Sequence, residues 1–121
     1  MYTEKTKPSV LSASTIINTS VENPSGENLG KIEELMIDLN SGRIAYAVVS
    51  FGGFLGIGDK LFALPFEALK VDTINEKIIL DVDKETLENA PGFDKDNWPD
   101  VTEHAWLVDV YSYYGYPPYW T

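Results

Sequence analysis

Two stretches of this chain are apolar on both faces, and no other feature restricts its fold so strongly. In "RIAYAVVSF", residues 43–51, Ile44, Tyr46 and Val48 alternate with Ala45, Ala47, Val49 and Phe51. In "KLFALP", residues 60–65, Leu61 and Ala63 alternate with Phe62 and Leu64. β-Branched and aromatic residues at this density predict strands, whose side chains point alternately to opposite faces of a sheet. In a small barrel only one face of a strand turns inward, so the other face of both strands needs a cover.

Between them lies "GGFLGIGDK", with Gly52, Gly53, Gly56 and Gly58. A dinucleotide-binding loop carries G-x-G-x-x-G and opens a helix, because the pyrophosphate rests on the helix N-terminus. Here the order is Gly53-x-x-Gly56-x-Gly58, and a strand is expected next. A P-loop ends in Gly-Lys-Ser/Thr, whereas this segment reads Gly58-Asp59-Lys60-Leu61, with a carboxylate where phosphate would lie. The expectation is a linker between two strands.

Strand signals continue on both sides. "LSASTIINTSV" reads as a first strand through Thr15, Ile16 and Ile17, and "ENPSGEN" as a turn. In "LGKIEELMIDL", Leu35, Ile37 and Leu39 alternate with Met36 and Asp38, while Ile32 is out of phase. A β-bulge near Glu33-Glu34 would return Ile32 and Leu35 to one face. Asn40-Ser41-Gly42 then supplies hairpin chemistry. "FEAL" reads as a single turn and "KVDTINEKIILDV" as a hairpin closed at Asn75-Glu76. About six strands are expected between residues 14 and 82.

Beyond Asp83 the character changes. "DKETLENA" predicts a short helix stopped by Pro91-Gly92, and "GFDKDNWPD" a loop. Asp100 and Glu103 resemble a capping box ahead of "VTEHAWLVDVYSYYG". On that helix Val101, Ala105, Val108 and Tyr111 share a face, with Leu107 and Tyr114 beside it, and Thr102, Asp109 and Ser112 form a polar stripe. All three Trp and five of the seven Tyr lie beyond residue 97. This aromatic load serves either as a lid on the barrel or as a surface for another chain. The tail "YGYPPYW" falls one residue short of a P-P-x-Y ligand; it can offer an extended docking segment or strap its own subunit.

Signals for chemistry are weak. His104 is the single histidine, and no local nucleophile–base signature surrounds it. Asp94-x-Asp96 begins like a calcium loop, but Trp98, Pro99 and Ala105 then stand at its fifth, sixth and twelfth positions, against the pattern. Asp81 and Asp83 read as a solvated acidic edge. No catalytic residue, cofactor or metal ligand is expected. The net charge of −10 opposes phosphate backbones and anionic lipid, so nucleic acid and direct membrane insertion are not expected. The chain has no cysteine, no signal-peptide pattern at "MYTEKTKPSV", and no apolar run of the ~20 residues that span a bilayer. A soluble, cytoplasmic protein is the expectation.

The segment "GENLGKIEELMIDLNSGRIAYAVVSFGGFLGIGDKLFALPFEALKV" resembles the PRC-barrel family. The resemblance is carried by Gly30-Lys31-Ile32, the turn from Asp38 to Arg43 with Gly42, the glycine linker and the Pro-aromatic-x-x-Leu step of "LPFEAL". It runs from residue 11 to about 90 and is similar to the short stand-alone members, without the membrane helix of the photosynthetic reaction centre H subunit or the companion barrel of the ribosome maturation factor. It implies a mainly β chain with a small, strongly bent six-stranded barrel at 10–90, including a short helix; the residues outside the family pattern add, on their own reading, a loose tail at 1–9 and an acidic and aromatic, helical C-terminal extension at 91–121. It also implies an adaptor or assembly module with no assigned catalytic residues, and dimerisation is common among such members. The expected dimer or partner surface comprises Tyr46, Val48, Phe51, Phe54, Phe62, Leu64, Trp106, Tyr113 and Trp120. Two other functions stay open: an RNA- or ribosome-associated factor, and a small-ligand or metal-binding stress protein using the acidic segment 81–103.

Overall fold

The computed structural model describes residues 10–51, 60–99 and 104–120. In chain order they form a helical turn α1 (Ala13–Ile16), strands β1 (Ser20–Glu22), β2 (Asn28–Ile37), β3 (Ile44–Phe51) and β4 (Lys60–Leu64), and a 3-10 turn at Phe66–Ala68. Strands β5 (Leu69–Asp72) and β6 (Lys77–Leu80), helix α2 (Lys84–Glu88), the short strand β7 (Gly92–Phe93) and helix α3 (His104–Tyr114) follow. Among the described residues seven strands make one sheet in the order β5-β6-β1-β2-β3-β4-β7, antiparallel except for β1 with β6.

This corrects the expected closed six-stranded barrel. The hydrogen-bonded order ends at β5 on one side and β7 on the other. At the end of β4, Pro65 has no N–H to extend the ladder, and the following 3-10 turn sends the chain to the far end of the sheet beside β6. The sheet nevertheless curls about an interior cluster drawn from every long strand, including Val21, Leu29, Ile32, Val49, Phe62 and Ile78, with Leu87 of α2 at one end. β2 approaches β3 closely at Gly30 (φ +104°), where a Cβ would run into the Ser50 carbonyl.

Bulges set which side chains face where. The β2–β3 register jumps between Ile32 and Glu34, leaving Glu33 extra, so both Ile32 and Leu35 turn to the interior as expected. A second jump pairs Met36 with Tyr46 but Ile37 with Ile44, leaving Ala45 extra. Ala45 therefore joins Tyr46 and Val48 on the outer face, and Ile44 leaves it, contrary to simple alternation. The same jump leaves Ile37 51% exposed, and Leu39 beyond it is 93% exposed, although the sequence pattern places both on the half-buried face. The hairpin itself is as read: Gly42 takes φ +75°, and Asp38 Oδ1 accepts the backbone N–H groups of Asn40 and Ser41.

Thr15, Ile16 and Ile17, expected to form the first strand, are not in it: Thr15 and Ile16 belong to the helical turn α1 and Ile17 ends it. Ser12 and Thr15 hydroxyls bond each other at 2.7 Å, favouring the local turn α1, and Asn18 (φ +73°) breaks it before β1 begins at Ser20. The expected loop at Gly92-Phe93 is instead a two-residue strand on β4. Helix α2 begins as its sequence requires, with Asp83 accepting the Thr86 N–H at 2.7 Å.

Candidate interaction surfaces

Strands β3 and β4 place Tyr46, Val48, Leu61 and Ala63 on the outside of the sheet, and the chain's own helix α3 covers them. Leu107, Val110, Tyr111 and, on the adjoining side of the helix, Tyr114 form its inward stripe at three- and four-residue spacing. The face is rotated from the expected one: Val108 is 38% exposed and Ala105 is exposed. Apolar residues occupy so many positions of this helix that spacing alone does not choose its inner side, and the large Leu107 and Tyr111 fill the gap over β3. Trp106 meets the Tyr46 ring edge-on at 5.4 Å and reaches Phe93 of β7 at 6.2 Å.

Two hydroxyls lock the helix. Tyr111 donates to the carbonyl of Ala45 at 2.8 Å, satisfying the residue that the second bulge leaves out of register. Burial pushes its phenol up to about 12, with the Glu67 charge adding to the shift. Tyr113 donates to the Thr86 carbonyl of α2 at 2.6 Å. The hydroxyls of Tyr46 and Tyr114 are buried without a hydrogen-bond partner among the described residues, and burial raises both phenols above their usual range.

The segment after Gly115 straps back onto the β2–β3 hairpin. Tyr119 donates its hydroxyl to Asp38 Oδ2 at 2.5 Å, and its carbonyl accepts Arg43 Nη1 at 2.5 Å. Arg43 also lies 5.5 Å over the Tyr119 ring. The Tyr119 bond, then the Asn40 N–H, hold the Asp38 carboxyl below the ordinary carboxylate range. Desolvation, then the Asp38 bond, raise the Tyr119 phenol. Of the two uses open to the tail, strapping its own chain is the arrangement found.

The expected surface residues separate into four groups. Tyr46 and Val48 are on the outer face but beneath α3, at 2% and 0% exposure. Phe51, Phe62 and Leu64 belong to the interior cluster, so the surface of this chain does not present them; they alternate with the outer-face residues and point into the curl. Trp106 and Trp120 are half-buried within the cover, Trp120 packing edge-on against Tyr119 at 4.9 Å. Tyr113, at 39%, is the most exposed of them. Phe54, the glycine linker, the Asp100–Glu103 capping box and the side chain of His104 lie outside the described residues. The linker joins antiparallel strands paired at Phe51 and Lys60, so a strand, not a helix, follows the glycines.

Sequence reasoning missed a second apolar surface at the open side of the sheet. Val10, Leu11, Ile16, Ile44, Phe66 and Val71 line a cleft of about 370 Å³. Ile37, directly across from Ile44, extends the patch. Beside it a cleft of about 430 Å³ runs between the α1–β1 connection and the β5–β6 hairpin, including Asn18, Val71, Asp72 and Lys77. Two of its ionic groups have partners: Lys77 bonds Glu22 at 2.7 Å, and Asp72 accepts from the N–H groups of Ile74 and Asn75. No local signal marks this patch, because Leu35, Ile37 and Leu39 alternate without a break in the sequence and the bulge at Ala45 appears only in the β2–β3 pairing.

The PRC-barrel domain family model matches residues 8–87, and the chain belongs to that family. A search of the curated proteins finds no match. The family match ends before α3, so the helix that covers β3 and β4 lies beyond it. No helix among the described residues is long and apolar enough to cross a membrane.

Proposed function

We infer that this PRC-barrel protein is a non-catalytic adaptor that works by protein–protein contact, as a homodimer that also holds a second protein. The observation that carries the reading is the uneven finish of its apolar surface. The outer face of β3–β4 is covered by the chain itself, while Val10 and Ile37 stay 51% or more exposed at the open side. Clustered exposed apolar side chains of this size mark contact sites. The carboxylate of Asp72 beside the cleft supports the same reading, because it accepts backbone N–H groups of its own turn, an architectural use.

Affinity purification from the native cell tests the adaptor role. A protein recovered in fixed ratio with the wild-type chain, and lost with Ile37→Asp, is the expected result. Equal recoveries with both chains would overturn it. Sedimentation velocity at micromolar concentration tests the homodimer, which runs at about twice the 13.5 kDa chain mass; a single species at chain mass contradicts it.

A further inference from the structure

Strand β5 is the terminal strand of the sheet and pairs only with β6. Among the described residues no second strand pairs with its outer edge, although the Leu69 N–H donates to the Phe66 carbonyl of the preceding turn. Such an edge is a template for another strand, and proteins with no use for it shield it with charge, proline or a covering element. The strand carries two charges, Lys70 and Asp72, and Lys70 is exposed with no ion-pair partner among the described residues. Next to it Val71 is 38% exposed and lines both clefts of the open side.

The sequence of this edge is complementary to itself. Lys70-Val71-Asp72 laid antiparallel against a second Lys70-Val71-Asp72, with Val71 on the two-fold axis, sets each Lys70 directly opposite an Asp72. Side chains directly opposite each other in an antiparallel pair share a face, so two ion pairs flank a central valine contact. Asp72 stays available for this: its carboxylate is ionised, with its pKa lowered by the Asn75 side chain and backbone, and a carboxylate accepts about four hydrogen bonds. The Val71 side of the pair lies over the apolar cleft of Leu11, Ile16, Ile44 and Phe66, continuous with the interior cluster. A C2 interface needs one patch that matches itself, and the Lys-Val-Asp order of this edge meets that condition in charge.

We propose that the partner of the β5 edge is a second copy of this chain, joined antiparallel about Val71 so that the two sheets become one. The proposal rests on the homodimer reading and names its face. Lys70 protects the edge from indiscriminate pairing and selects a strand with a carboxylate opposite it.

The chain contains no cysteine, so single cysteines report proximity without background. Opposed residues in an antiparallel pair have Cα atoms about 4.5–5.5 Å apart, inside the range a disulfide spans. Val71→Cys in the full chain, under mild oxidation at micromolar concentration, is expected to form a covalent dimer at least roughly tenfold faster than Val108→Cys, an exposed position on α3. Lys70→Glu is expected to raise the dimer dissociation constant by roughly tenfold or more without changing the unfolding midpoint of the monomer. A chain that sediments as a dimer but shows neither effect overturns this face while leaving the homodimer reading intact. Rapid Val71→Cys cross-linking with a dimer constant unaffected by Lys70→Glu overturns the register. A chain that is monomeric throughout overturns both the face and the homodimer.

Discussion

The outer face of β3–β4 and the open side near β5 are both apolar, and the molecule finishes them differently. Over β3–β4 the C-terminal helix supplies Leu107, Val110 and Tyr111, and its hydroxyls reach Ala45 and Thr86. Near β5 the clefts end in side chains such as Val10 and Val71 that have no such cover among the described residues. The difference shows that an apolar strand face in a sequence states a demand for cover but not its source. One face is closed by the chain and serves stability. The other is left open, and in the adaptor reading it serves association.

That contrast can be broken most forcefully by removing the cover. Deleting residues 97–121 exposes Tyr46, Val48, Leu61 and Ala63 together, and the truncated chain is expected to lose soluble expression. A soluble, cooperatively folding truncation would show that α3 is dispensable. Next in size, Leu107→Ala empties a 6% exposed site under the helix and is expected to cost about 2–5 kcal/mol in urea denaturation. A loss below about 0.5 kcal/mol would mean that the helix is not packed in solution.

Tyr111→Phe keeps the ring and removes the bond to Ala45, at an expected cost of about 1–3 kcal/mol. It also changes the alkaline limb. Because the folded phenol is raised to about 12 from an unfolded value of about 10, its contribution is complete below pH ~10 and is lost as pH rises through ~12. Tyr111→Phe should therefore lose less stability than the wild type across that interval, read by urea midpoints. An identical alkaline decline in both proteins contradicts the assignment.

A smaller effect is expected at the strap. The Asp38 carboxyl is lowered on folding, so its contribution is present above the unfolded value near pH 3.9 and fades as pH falls through the lower folded value. Tyr119→Phe removes the largest cause of that shift and should flatten the acid limb of stability below about pH 4. Unchanged acid profiles would show that the strap does not hold Asp38. Smallest of all, Val71→Thr on the open side is expected to change monomer stability by less than about 0.5 kcal/mol while weakening self-association, the reverse of the Leu107 result.

Much of the fold was legible because local chemistry and burial agree there. The two-sided strands, the bulge at Glu33, the Gly42 hairpin and the Asp83 helix start each leave a pattern within a few residues. What escaped depends on distant partners. The second bulge at Ala45 has its compensation in Tyr111, far along the chain, and it alone decides that Ile44 and Ile37 turn to the open side. Closure failed as an expectation because strand count does not determine whether terminal strands meet; Pro65 and the 3-10 turn separate β4 from β5. For the candidate surface, the sequence shows that Tyr46 and Val48 need cover, and its aromatic C-terminal load already offers a lid. Phe62 and Leu64 fall on the wrong side in that reading because alternation defines two faces without saying which is inside.

Whether each chain covers its own β3–β4 face can be read from an isotope-filtered NOE spectrum of a mixture of labelled and unlabelled protein. Contacts between the Tyr46 and Trp106 rings, whose centroids lie 5.4 Å apart, are expected within single chains. Contacts between these rings found only across labelled and unlabelled chains would contradict self-cover, because the helix would then be covering a neighbour.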